Sequence, residues 1–439
     1  MIFKRFSLLN SIIFVGAASF ISSGTKFILT LILVRFLTPQ EFGLWAALTS
    51  IAAILMFGDL GIGNALRNKL SNLKESHSKD ENLQREYFYT TLYIFIIIGF
   101  LGSASVFLFG EMLPINKLFK TEDIAIIGMG DEILTFLLLY FFISLPIGIS
   151  NGLFYSYNES NILAIITVIS SCSVLLLISF LIIFTNSNVV LLFKTQYFLI
   201  FSLGLFSTIY FIYRRNWLNS FLIDIRNAYS RFIEILKGGI LFMGNDITSS
   251  FLINSPTIFI AAIIDLQTAA FFNIIQKIFT FFGGIIQAML NPVWAELATL
   301  KARGEIGQAM FIANITSLIN GVFLIFITII LYFNIDLILT WIAGSDNDYE
   351  INKNLVIFIG LTFTGYAIYD SVSLIQKSFG SLKLRFIIQL ISVLILIPLI
   401  NFAYNLFGVL GIPSTMTVVW IVLSFILIIQ RKFIQKNLK

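Results

Sequence analysis

The 439-residue sequence is nearly devoid of the residues that do chemistry in water: it holds one cysteine, Cys172, and one histidine, His77. A lone cysteine has no intrachain disulfide partner, so redox compartment cannot be read from it. One of each excludes a His/Cys metal cluster and argues against a Cys–His nucleophile pair. Cys172 sits in the apolar run ISSCSVLLL and reads as packing, and His77 sits in the charged stretch KESHSKDEN and reads as solvated. Charge is scarce too, at 12% of residues, against about 25% in soluble domains. With 58% hydrophobic residues and a mean hydropathy of +0.94, the chain has too little polar surface to cover a water-facing exterior. Lipid is the expected solvent.

A bilayer core of about 30 Å needs about 20 apolar residues per helix. Twelve runs qualify: 14–37, 42–61, 88–110, 133–154, 160–184, 190–213, 238–264, 268–290, 308–333, 354–377, 384–404 and 410–430. They are continuous rather than alternating, which excludes a strand-built barrel. The start, MIFKRFSLLNSIIF, is basic and then apolar like a signal peptide. Its apolar stretch continues to Leu37 with no small-residue cleavage site, so an uncleaved first helix is expected.

Loop charge tests this layout. With the N-terminus inside, the inner segments hold 21 Lys and Arg residues, from Lys4 and Arg5 to Lys436 and Lys439. The outer segments hold Lys117, Lys120 and Lys353, and the outer loop 334–353 is acidic. One wrong helix would scramble that bias, so both termini are expected in the cytoplasm. No loop exceeds about 30 residues, too few for a catalytic domain of about 50 or more. The segment 214–237 mixes Arg with Trp, Leu, Ile and Phe, and reads as a connector partly on the inner membrane surface. It predicts two halves, 1–213 and 238–439. A gapless shift of 227 places Ser22 on Ser249, Ser23 on Ser250, Thr30 on Thr257, Gln40 on Gln267 and Asn64 on Asn291. The expected fold is all-α: a polytopic membrane protein of about twelve helices, in two six-helix bundles related by a pseudo-two-fold axis along the membrane normal.

Polar residues at helical spacing inside a membrane face a bundle interior or a wet cavity. The seventh run has Asp246, Ser250, Asn254 and Thr257 on one face. The first has Ser19, Ser22, Ser23, Lys26 and Thr30, and the eighth has Asn273, Gln276, Lys277, Thr280, Gly284, Gln287 and Asn291. The tenth has Thr362, Tyr366, Asp370, Ser373 and Lys377, and the fourth a weaker stripe from Tyr140 to Asn151. For Ser and Thr the ordinary account is glue between helices. For the lysines it fails: a central Lys costs about 2.5–3.5 kcal/mol on insertion scales, and glue does not require one. Lys26 and Lys277 are therefore the leading cavity residues, followed by Asn254, Asn273, Gln276 and Gln287. Arg35, nearer its helix end, either lines the cavity or snorkels. Lys194 reads as an anchor. Asp246 and Asp370 either bind a coupling ion or proton, or pair with a lysine.

Two inner edges stand out. DLGIGNALRNKL, with Asp59, Asn64 and Arg67, ends the second run. NPVWAELATLKARGE, with Asn291, Pro292 and Trp294, ends the eighth, where the proline is expected to interrupt the helix. Ordinary helix termination with basic anchors explains both; equivalent placement by the repeat would also let them gate a central cavity.

RFLTPQEFGLWAALTSI followed by DLGIGNALRNKL resembles the first two helices of bacterial O-antigen flippases. These belong to the polysaccharide transporter family of the multidrug/oligosaccharidyl-lipid/polysaccharide superfamily. NPVWAELATLKARGE resembles that family's second-half signature, with Ala295 where a second proline is usual and Glu296–Leu297 where an aromatic step is usual. The resemblance covers the chain in length, helix number and topology. It implies two bundles alternating between inward- and outward-open, and a substrate of oligosaccharide on undecaprenyl diphosphate. It implies basic cavity residues on the first, second and eighth helices. Lys26 and Lys277 match in helix and depth; the second helix has no basic match.

Three classes compete. A flippase explains intramembrane lysines and the lack of a catalytic domain. A cation-coupled multidrug antiporter of the same superfamily wants an acidic cavity, for which Asp246 and Asp370 are the support. A membrane glycosyltransferase or polymerase wants catalytic residues on a large outer loop, and none is evident. The expectation is a non-enzymatic flippase in the bacterial inner membrane, coupled if at all to a proton or sodium gradient, with no bound cofactor. Its expected partners are membrane lipids, a polysaccharide polymerase and glycosyltransferases, with no nucleic acid.

Overall fold

The computed structural model describes residues 2–56, 62–75, 81–112, 114–157, 159–185, 187–217, 225–344, 352–379 and 382–437. Among these the secondary structure is helical throughout. Twelve long helices and one short one follow in order: α1 Ile2–Phe36, α2 Pro39–Leu55, α3 Ile62–Glu75, α4 Glu81–Phe109, α5 Ile124–Ser156, α6 Ser160–Phe184, α7 Val189–Arg214, α8 Ile225–Ile263, α9 Leu266–Ala302, α10 Ile306–Ala343, α11 Lys353–Phe379, α12 Leu382–Phe407 and α13 Gly411–Asn437. Each long helix coincides with one expected run. Nine stretches of the described residues are long and apolar enough to cross a membrane, one of which, 383–430, covers both α12 and α13. The chain is an all-α, multi-pass membrane protein.

Where helices begin, the sequence supplies the missing acceptors. Thr38 precedes α2 in a capping box: the Glu41 carboxylate accepts from Thr38 N at 2.9 Å, and Thr38 Oγ1 accepts from Glu41 N at 3.3 Å. Pro39 fills the first helical position, where its absent N–H costs nothing. Asp265 caps α9, accepting from Thr268 N at 2.6 Å. Asp123 caps α5 and Asn188 caps α7. Replacing Thr38 by Ala should lower stability by about 0.5–2 kcal/mol, read as a lower melting temperature of the detergent-solubilised protein; an unchanged melt would show that the capping box carries none of it.

The helix ends carry the internal repeat better than the residues do. α1 ends and α2 begins at 36 and 39, and α8 ends and α9 begins at 263 and 266, a shift of 227 at both points. The caps Thr38 and Asp265 keep the same shift. Later pairs drift slightly: α4 and α10 start at 81 and 306, α5 and α11 at 124 and 353, α6 and α12 at 160 and 382, α7 and α13 at 189 and 411.

Two expectations are corrected. The eighth run was expected to be interrupted at Pro292; α9 continues through position 292 to Ala302. One proline removes a single main-chain hydrogen bond, a loss that helix neighbours in a membrane protein can make good, and α5, α8 and α12 likewise contain Pro146, Pro256 and Pro398. The second run was expected to be one helix from 42 to 61; α2 ends at Leu55, and the amphipathic α3 follows separately. Of the segment 214–237, residues 218–224 lie outside the described ones; Trp217 and Ile235 are buried, and from Ile225 the chain is already α8.

By contacts the chain forms two compact units: residues 1–47 with 251–439, and residues 48–250. In the first, α9 is central, packing on α1, α10 and α11, with α11 on α10 and α13. Gly43 meets the start of α9 so closely that a Cβ there would lie 1.9 Å from the Leu266 carbonyl oxygen. In the second, α5 is central, packing on α3, α4 and α7. Its aromatic core gathers on Trp217, with Phe88 at 5.5 Å and Phe211 at 5.6 Å between ring centroids. Tyr89 Oη donates to the Trp217 carbonyl at 2.8 Å. Arg215 lies over the Tyr157 ring at 3.9 Å and bonds Glu159 at 2.7 Å.

Candidate substrate site

The site is built on the α1–α9 pair of the first unit. Ser23 and Gly284 fix the helix spacing: a Cβ at 284 would lie 2.9 Å from Ser23 Oγ. Beside that contact, Phe27 stacks on Phe281 with centroids 5.4 Å apart, and Phe20 lies 6.0 Å from the same ring. Lys26 precedes Phe27, and Lys277 lies one turn before Phe281, so both lysines flank the aromatic contact. They are close enough to interact electrostatically.

Their surroundings are apolar. Along α9, residues 269 to 279 are all buried except Lys277, which is half-buried. On α1, Lys26 lies on the helical arc that carries the buried Ala18, Ser22, Leu29, Thr30 and Leu33, yet it is itself exposed. Lys26 is thus accessible on an otherwise packed arc. Among the described residues neither ammonium has an ion pair. Two neighbouring cations inside a membrane with no acid between them are costly. Such a pair is suited to an anion that supplies both missing charges, and a phosphate or diphosphate can bridge two ammonium groups.

The other sequence-predicted residues divide. Arg35 is a clasp rather than a free cation: Nε donates to the Ile342 carbonyl at 3.0 Å, and Nη2 donates to that of Trp341. It thus satisfies the last carbonyls of α10, where a cation also meets the negative end of the helix dipole. Asn273 and Gln276 are buried in the joint between α8 and α9. Gln276 Oε1 accepts from Thr257 Oγ1 at 2.8 Å and from Asn273 Nδ2 at 3.3 Å, and Gln276 Nε2 donates to the Ile253 carbonyl at 2.9 Å. Asn254 is half-buried on α8. Asp246 is half-buried and lies in the second unit. Asp370 is buried in α11, and its basic neighbour is Arg385, which also donates to Tyr369 Oη at 3.1 Å. Lys194 pairs with Glu132 at 2.5 Å, as an anchoring residue can. At the inner edges, Arg67 lies over the Tyr155 ring at 4.7 Å. Asp59 lies outside the described residues, as do the side chains of Asn64, Gln287, Asn291, Pro292 and Trp294.

Sequence reasoning missed the phenylalanine contact and Arg385. A signal existed for the first: Phe20 and Phe27 are two turns apart on one face, as Lys277, Phe281 and Gly284 are on another. For Arg385 the run boundary at 384 left it beside a loop.

Long apolar helices with charged groups set among them make this the fold of a multi-pass membrane protein. Solved structures agree. An inward-facing multidrug resistance MATE family transporter of the MOP superfamily matches with TM-score 0.74 at 12% identity, covering 96% of this chain and 95% of that one. The lipid II flippase MurJ, in an inward closed conformation, matches with TM-score 0.73 at 15% identity, covering 96% and 87%. A MOP superfamily transporter from Pyrococcus furiosus, described as having a binding pocket of reverse polarity, matches with TM-score 0.65 at 13% identity, covering 98% and 96%. No curated protein matches the sequence. The family model for polysaccharide biosynthesis proteins matches residues 8–297, and the chain belongs to that family.

Proposed function

We propose that this protein is a flippase that carries an oligosaccharide on undecaprenyl diphosphate from the cytoplasmic to the outer leaflet of the bacterial inner membrane by alternating access. The observation that carries the reading is the couple Lys26 and Lys277 beside the α1–α9 contact, without an ion pair among the described residues. A diphosphate cannot cross hydrocarbon bare, because stripping its hydration is prohibitive. Two lysines replace part of that hydration, while the polyprenyl tail stays in lipid. Membership of a polysaccharide biosynthesis family and a fold shared with a lipid II flippase support the reading. An antiporter for cationic drugs would want free carboxylates; Asp370 has Arg385 beside it, which favours the anionic substrate. Both termini lie in the cytoplasm on this reading, the halves 1–213 and 238–439 act as the two repeats, and Arg67, Asn291 and Trp294 sit at the inner mouth. A proton or sodium gradient drives the cycle, with Asp246 as its remaining acidic candidate.

In cells lacking the gene, Lys26→Ala or Lys277→Ala should abolish surface polysaccharide at a normal protein level. Lys→Arg at either position should be much milder, because the charge is kept. Normal polysaccharide in both alanine variants would sink the site.

A further inference from the structure

At the end of the first unit where α9 and α11 begin, away from the lysine couple, lies a recess of about 470 Å3. That volume falls within the usual range of small-ligand pockets, about 300–1,000 Å3. The start of α9 gives it Asp265, Gln267 and Thr268, and the start of α11 gives it Asn352, Lys353 and Asn354. Phe271, Leu355 and Val409 form an apolar wall.

The charges in this recess are already answered. Both Asp265 carboxylate oxygens accept from Thr268, through N at 2.6 Å and Oγ1 at 3.1 Å, at the positive end of α9. Lys353 forms an ion pair with Asp336. A free anion or metal ion would find no uncompensated partner. What remains on offer is amide: the Asn354 side chain makes no bond with a described residue, and Asn352 uses its oxygen on Asn354 N at 3.1 Å while its Nδ2 makes none with a described residue. Amides that donate and accept side by side, next to an apolar wall, suit a ligand with many hydroxyls and an apolar ring face.

We infer that this recess binds a neutral sugar ring of the glycan the protein handles. The inference rests on the proposed function for the glycan's source, and on the recess alone for its chemistry. With the N-terminus in the cytoplasm, the starts of α9 and α11 face outward, so the recess meets the glycan after translocation. A foothold there biases the flipped headgroup against return.

The test uses the full-length protein in lipid nanodiscs. The probe is the phosphate-free oligosaccharide released by mild acid from the producing strain's surface polysaccharide, and binding is read by saturation-transfer NMR. Wild-type protein should saturate the probe, and Asn354→Leu should weaken binding several-fold while the melting temperature stays unchanged. No transfer to the probe, or equal transfer in Asn354→Leu, would overturn the site. Maltotriose binding as tightly as the probe would overturn the glycan as the source. If polysaccharide export survives both lysine-to-alanine changes yet the probe still binds, the sugar site stands and the flippase reading falls.

Discussion

Lys277→Glu is expected to stop transport, as Lys277→Ala does, and to weaken binding of the lipid-linked oligosaccharide further than Lys277→Ala does. The reason is a charge count. The couple offers an anion two positive charges; alanine leaves one. A carboxylate at 277 would lie beside Lys26 and neutralise it, so a single substitution leaves none. Hydrogen bonds to charged groups contribute about 1.5–3 kcal/mol each. Losing two corresponds to roughly 10²- to 10⁴-fold in affinity. Stability should move the other way, since the substitution replaces like-charge repulsion in a poorly solvated place with attraction. The expected signature is a protein that melts no lower than wild type yet fails to translocate a fluorescent lipid-linked oligosaccharide in proteoliposomes. A variant that binds the lipid-linked oligosaccharide as tightly as Lys277→Ala would show that the two lysines do not share one ligand. A variant that melts well below wild type would show that the couple is not the unrelieved pair described above.

Gly43→Ala should be the most damaging methyl group that can be added to the chain's N-terminal motif. Its Cβ would lie 1.9 Å from the Leu266 carbonyl oxygen and 2.6 Å from the carbonyl carbon. Those are main-chain atoms at the first turn of α9 and cannot swing aside as a side chain can. Either α2 or α9 must shift, and Thr38 and Asp265, which cap the two helices, would be carried with it. Overpacking a well-filled site costs about 1–3 kcal/mol, occasionally more, and this contact belongs at or above the upper end. Gly16→Ala is the control: its Cβ would meet nothing within 4 Å, and alanine is the better helix former by about 1 kcal/mol. Gly16→Ala should therefore express and melt as wild type or better, while Gly43→Ala should give little folded protein on size-exclusion chromatography. Equal behaviour of the two would contradict the close approach of α2 and α9.

Helix positions were legible because lipid demands long apolar runs and punishes interruptions. The run 160–184 and α6 coincide residue for residue, since polar segments close it on both sides. The break between α2 and α3 was harder to place, because apolar residues continue past Leu55. Lys26 and Lys277 were legible for the reason that makes them costly: a charge in a run of Ile and Phe has few explanations. Arg35 was not, because its partners are main-chain carbonyls 306 and 307 residues away, and carbonyls leave no trace in a sequence. Asn273 and Gln276 illustrate a different limit. An amide that ties two helices and an amide that awaits a sugar occupy the same stripe, and only their hydrogen-bond partners tell them apart.

Thr38 and Asp265 bear on ancestry. They occupy matching places in the two halves and do the same job with different atoms, a hydroxyl in one and a carboxylate in the other. The two places share an acceptor rather than an amino acid. Two copies of one ancestral segment can therefore drift until few letters agree, while the starts of matching helices stay within a few residues of one shift. Duplication in such a protein is dated by its punctuation, and a comparison that aligns helix starts will join relatives that a comparison of identities leaves apart.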